Sequence, residues 1–238
     1  MRRLSPAARV NNLVMHHPSP GSGRVAVVTG GSRGVGREVV RKLAGRGYAV
    51  AVGYVHDQGA ATAVVDEVIA TGGNALMIRA DVADELDVER LFTETIAAFG
   101  GVDVVVHAAT LVAREAVAHD LDSFDAVHRT NVRGTFVVDR EAARHLGGGG
   151  AIVNVSSSST GPAAPVDASH AAGRGAVEAI TRVFARDLRQ RDITVNAVAA
   201  GAKGPDVAAV TADLVALLVS GEGRSLNGQV IRVDAQAN

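Results

Sequence analysis

Val25-Ala26-Val27-Val28-Thr29 runs directly into Gly30-Gly31-Ser32-Arg33-Gly34-Val35-Gly36. The first five residues form a short apolar run, the mark of a strand covered on both faces. The glycines that follow let the chain turn sharply. Beyond them, Val39, Val40 and Leu43 recur at helical spacing over Gly36 to Gly45. Strand, glycine loop and helix in that order bring backbone N–H groups and the positive end of a helix dipole to one point. Such a point suits a pyrophosphate. The rival reading of the same glycines is a tight turn and nothing more.

Outward from this unit the alternation continues. Strands are expected at Tyr48 to Tyr54, Ala75 to Ala80, Val102 to Val106, Ala151 to Val155, Ile193 to Val198 and Gln229 to Val233. Between them, helices are expected at Ala60 to Thr71, Glu85 to Phe99, Ser123 to Leu146, Ser169 to Arg189 and Asp213 to Val219. The Ala60 helix sets Val64, Val65, Val68 and Ile69 on one face, and the Ser123 helix turns Phe124, Val127 and Val137 inward. Regular strand–helix alternation without a break in composition predicts an α/β fold: a doubly wound parallel sheet, or Rossmann fold, in a single domain over residues 24–238. The first 23 residues carry Arg2, Arg3 and Arg9, no acid and three prolines, and read as a flexible N-terminal leader.

Composition narrows the function. The chain has 238 residues, 47% apolar and 21% charged, with a formal net charge of −1. That balance gives no electrostatic reason to expect nucleic acid or an anionic membrane as a partner. No apolar run approaches the ~20 residues that span a bilayer, and a cytoplasmic location is expected. With no cysteine, thiolate nucleophiles, disulfides and Fe–S clusters are excluded. The eight histidines show no metal-ligand spacing, and no metal is expected. The tyrosines are Tyr48 and Tyr54, so no phenol can come from the later part of the chain.

The loop Thr29-Gly30-x-x-x-Gly34-x-Gly36 resembles the cofactor loop of the short-chain dehydrogenase/reductase family. Further marks follow in order: Asp81-Val82, Thr130-Asn131-Val132-Arg133-Gly134, Ile152-Val153-Asn154-Val155-Ser156-Ser157, Ile193 to Val198, and Asn227 to Asp234. The resemblance covers Arg24 to about Asp234 and is closest to 3-oxoacyl-carrier-protein reductases and polyketide ketoreductases. It implies cofactor contacts at Gly30, Ser32, Arg33, Gly34, Val35, Gly36, Tyr54, Asp81, Val82, His107, Ala108 and Arg174. It also implies a homodimer or homotetramer paired through the two long helices. The end of the second strand reads Gly53-Tyr54-Val55, with no carboxylate before Asp57. A carboxylate there would repel a 2′-phosphate, whereas Arg33 can grip one. NADP(H) is therefore the expected cofactor; alternatively Arg33 is a solvated surface charge.

The resemblance fails at the centre. The family's catalytic set is Asn, Ser, Tyr and Lys. Asn131 and Ser157 match. The tyrosine is expected about thirteen residues after the serine, and that position holds His170; the lysine position, four residues on, holds Arg174. Residues four apart share a helix face, so these two side chains are expected to meet. The family's Asn-Asn-Ala-Gly is His107-Ala108-Ala109-Thr110 here, and most of a substrate lid is missing, with only Ala202 to Ala212 between Gly201 and Asp213. Imidazole suits proton transfer near neutrality, while a permanent neighbouring charge disfavours imidazolium. Three readings remain open. One is an NADP(H)-dependent reductase of a polyketide-like or carrier-bound ketone, with catalysis by Ser157, His170, Arg174 and Asn131. The second is a non-redox enzyme, of cyclase or dehydratase type, on the same fold. The third is an inactive member that binds a protein partner.

Overall fold

The protein is described by a computed structural model over residues 23–111, 121–158, 168–201 and 206–233; the side chains at 157, 158 and 168 are outside the description. Residues 1–22 of the expected leader lie outside the described residues, as does part of the lid region, 202–205.

The element order alternates from end to end. It runs β1 (Val25–Thr29), α1 (Gly34–Gly45), β2 (Ala49–Tyr54), α2 (Gln58–Ala70), β3 (Asn74–Arg79), α3 (Glu85–Phe99) and β4 (Val104–His107). It continues α4 (Leu121–His128), α5 (Gly134–His145), β5 (Ala151–Ser158), α6 (Ala168–Asp187), β6 (Thr194–Gly201), α7 (Val207–Leu218) and β7 (Val230–Val233). The described strands make one parallel sheet in the order β3-β2-β1-β4-β5-β6-β7. The expected doubly wound sheet is present.

Strand alternation sorts the core into two layers. Val28, Val52, Val106 and Val153 face α1, α2 and α7. Val27, Val105, Ile152 and Val195 face α3, α5 and α6. Local chemistry sets the ends of the helices. The Asp57 side chain accepts from Ala60 N at the start of α2, and Asp84 accepts from Leu86 N and Asp87 N at the start of α3. Gly100, at φ 89°, ends α3 in the left-handed region.

Three expectations need correction. The long helix expected over Ser123 to Leu146 is not one α-helix: a π-helical turn, Arg129–Arg133, separates α4 from α5. Phe124, expected inward, is 39% exposed. Phe124 stacks instead on His128, with ring centroids 3.9 Å apart. The helix expected from Asp213 begins at Val207, because Val207, Thr211, Ala212, Val215 and Ala216 already form one buried face.

Candidate active site

In a doubly wound sheet, ligands bind beyond the carboxyl ends of the strands, where the strand order reverses. That point falls between β1 and β4, whose last paired residues are Thr29 and His107. The glycine loop leaves β1 there. Gly30 sits at φ +65°, and a Cβ on it would lie 2.8 Å from Ala108 O. A Cβ on Gly36 would lie 2.2 Å from Gly30 O. Gly34, at φ +53°, has open space around it. Arg33, exposed and extended, precedes α1 and makes no capping hydrogen bond from its side chain, and the first turn of α1 holds no acid. First-turn N–H groups have no intrahelical acceptor. With Ser32 buried beneath them and Val35 and Gly36 on the first turn, these residues fit a pyrophosphate.

The second strand ends on Tyr54, 8% exposed. Asp57, the first carboxylate after it, accepts from Ala60 N at 2.9 Å and so serves α2. Asp81 Oδ1 accepts from Ala83 N, while its own N–H donates to Asp87 Oδ2. Val82 is buried and packs where a Cβ on Gly134 would meet it at 2.8 Å. Ala108 N donates to Thr29 O, tying the β4 end to the loop.

Deeper in the cleft, the π-helical turn carries Asn131, 8% exposed. Its side chain brackets one residue: Oδ1 accepts from Leu111 N and Nδ2 donates to Leu111 O, each at 2.8 Å. Asn131 thus fixes the chain after β4. One turn on, Thr135 Oγ1 donates to Asn131 O at 2.6 Å. Asn131, His107, Ser156, His170 and Arg174 line one small cavity of about 20 Å³. His170 and Arg174, four residues apart on α6, both line this cavity. Ser157 is placed by its backbone alone, in β5 opposite Ala200.

His107 has a chemistry that its place in the motif does not reveal. Its ring is 2% exposed, and Nδ1 lies 2.8 Å from Thr29 Oγ1. Burial pushes its pKa down to about 4, so the ring is neutral at physiological pH. Another buried group escapes the sequence altogether. Asp139 on α5 is fully buried and accepts from Asn154 Nδ2 at 2.9 Å, and the same amide donates to Thr181 Oγ1 at 3.0 Å. Burial pushes the Asp139 carboxyl up to about 7, against the Asn154 hydrogen bond. No motif marks it, and Glu141, two residues on, is a second buried acid of the same helix.

Residues 24–213 match the family model described as short chain dehydrogenase. The chain is 36% identical to a short-chain type dehydrogenase/reductase of Picea abies, over 89% of this chain and 91% of that protein. It is 40% identical to a versicolorin reductase of Emericella nidulans, over 78% of this chain and 71% of that one. Among solved structures, a short chain dehydrogenase of Burkholderia cenocepacia in complex with NADP superposes with a TM-score of 0.83 at 35% identity, covering 91% of this chain and 98% of that one. A glycine loop seated at the sheet's switch point, Asn131 on its wide turn and this match across most of the sequence lead to one conclusion: the chain belongs to the short-chain dehydrogenase/reductase family.

Proposed function

We propose that the protein is an NADP(H)-dependent reductase of a ketone on a polyketide-like or carrier-bound substrate, working with His170 and Arg174 in place of the family's tyrosine and lysine. The observation that carries this reading is the convergence of Asn131, His170 and Arg174 on one cavity, beside an uncapped helix N-terminus. The resemblance to a versicolorin reductase and to an NADP complex supports the substrate class and the cofactor.

Gly30, Ser32, Arg33, Gly34, Val35 and Gly36 would hold the dinucleotide phosphates, with Arg33 on a 2′-phosphate. When bound, the cofactor supplies the hydride for the carbonyl carbon. The chain supplies the rest. His170 stands where the proton reaches the carbonyl oxygen, which becomes the hydroxyl. Arg174 is cationic throughout and favours the negative charge that grows on that oxygen. Ser157 polarises the same oxygen. Asn131, engaged on both sides of Leu111, acts as a positioning residue. The assembly expected is a homodimer or homotetramer. Phe136 on α5 and Val183 on α6 are each 47% exposed, and Phe136 meets Phe184 edge-on at 5.9 Å, an apolar face that a second copy would cover.

The test pairs binding with turnover. NADPH titrated into the full chain should bind, and an activated ketone should then consume it with formation of the alcohol. A protein that binds NADPH and reduces no ketone across a polyketide-like panel is the non-redox reading, and one that binds no NADPH is the inactive partner-binding reading.

A further inference from the structure

Among the described residues, two side chains that line the cavity carry a buried nitrogen with no hydrogen-bond partner. One is Arg174 Nη1. The other follows from the hydrogen bonds of Thr29. Thr29 Oγ1 accepts from Ala109 N at 3.3 Å and lies 2.8 Å from His107 Nδ1. Thr29 is 1% exposed, so its hydroxyl hydrogen needs an acceptor inside the protein. Nδ1 is the acceptor in reach. A ring that accepts at Nδ1 carries its proton on Nε2. His107 Nε2 is buried, has no partner, and belongs to a side chain lining the same cavity as Arg174.

Two unpartnered donors on side chains that line one cavity define a site for an acceptor. The cavity measures about 20 Å³, enough to admit a water molecule, which occupies about 10–15 Å³. Both donors would be satisfied by one oxygen. That oxygen would then have two hydrogens left to give to the rest of the cavity, which His170 and Ser156 also line. A chloride ion is larger, and is the other acceptor that the guanidinium would attract.

We propose that His107 Nε2–H and Arg174 Nη1–H together hold one water molecule at the floor of the cleft, and that His107 is thereby a positioning residue for proton supply to the reacting oxygen. The placement of the water stands on the hydrogen bonds alone; its part in proton supply rests on the reductase reading above. His107 fits the task because it has no competing charge state: burial keeps it neutral well below pH 6. Its strand places it rigidly, since the Thr29–His107 register pair joins two buried central strands.

Three measurements on the full chain decide it. Nitrogen NMR of the unmodified protein at pH 7 should find His107 protonated at Nε2; protonation at Nδ1 overturns the proposal. A high-resolution crystal structure without cofactor should show one water within hydrogen-bond distance of both nitrogens. An empty floor, or an anomalous signal for chloride, overturns it. Neither measurement depends on turnover, so both stand if the reductase reading fails. Where ketone reduction is observed, His107→Leu should lower kcat, measured at saturating NADPH, about 10²-fold, the low end of a positioned proton donor's contribution. His107→Gln, which keeps an N–H, should recover part of kcat and part of the solvent isotope effect lost in His107→Leu. A His107→Leu protein with full kcat overturns the proton-supply role, and so does a folded His107→Gln with no recovery.

Discussion

Asp139 and Asn154 meet at 2.9 Å between α5 and β5, and neither side chain reaches solvent. Among the described residues, neither Asp139 Oδ1 nor Asn154 Oδ1 has a donor. A proton on the carboxyl supplies one. The folded chain therefore holds that proton up to about pH 7, while the unfolded chain releases it near pH 4.

The sign of the pH effect follows. Between those values the folded state binds the proton and the unfolded state does not, so Asp139 lowers stability as pH rises. His107 has the opposite sign. Its folded pKa is about 4 against about 6.5 unfolded, so it lowers stability as pH falls from about 6.5 to about 4. The two slopes cancel over much of pH 4–6.5. Urea midpoints should show it. Asp139→Asn should be more stable than the unmodified chain at pH 8, by on the order of 3 kcal/mol, and should lose stability on acidification. His107→Asn should instead lose stability as pH rises from 4 to 7. Parallel pH curves for all three proteins would refute the buried titrations.

Arg33 leads to a cofactor prediction. It is exposed at the loop, and the nearest carboxylate beyond Tyr54, Asp57, is engaged in capping α2. NADPH should bind more tightly than NADH by about 10- to 100-fold, the range of one charge-assisted hydrogen bond. Arg33→Ala should erase the difference by weakening NADPH alone. Equal dissociation constants in the unmodified protein would rule this out.

Restoring the family pair is the sharpest test of the centre. His170→Tyr with Arg174→Lys places a phenol beside an ammonium, and should raise NADPH-dependent reduction of an activated ketone by about 10²-fold or more. The two changes should be non-additive, because they act as one unit. His170→Ala in the otherwise unmodified chain should collapse the natural activity. Activity that survives His170→Ala would place the proton chemistry elsewhere.

The apolar face on α5 and α6 predicts assembly. Sedimentation at micromolar concentration should show a dimer or tetramer. Phe136→Asp or Val183→Asp, each on an exposed position, should yield a folded monomer. A monomeric unmodified chain would remove the assembly from the reading.

How much of this the sequence discloses depends on the kind of information involved. Strands such as Val104–Val106 and the glycine loop declare themselves by pattern, so the sheet and its switch point were legible. The π-helical turn was not, because one extra residue between Arg129 and Arg133 leaves the apolar spacing on either side intact. Asn131 was located by its motif, but its grip on Leu111 depends on how the loop after β4 returns to the turn. His107 was visible as a substitution. Its bond to Thr29 required β1 and β4 to be neighbours, a pairing across 78 residues. Asp139 reads as a surface acid until the phase of α5 is known.

The loop glycines fall into two kinds. At Gly30 and Gly36 the chain's own backbone fills the space a side chain would need. Folding demands glycine there whether or not a ligand ever arrives. At Gly34 the space is open, yet φ is +53°, so the backbone itself favours glycine. Beside it Arg33 faces solvent with an extended backbone that any residue adopts. A descendant that gave up its chemistry would keep the glycines while Arg33 drifted. The familiar fingerprint is thus partly a fossil of the fold, and the record of use or disuse is written at the one neighbouring position that the chain itself leaves unconstrained.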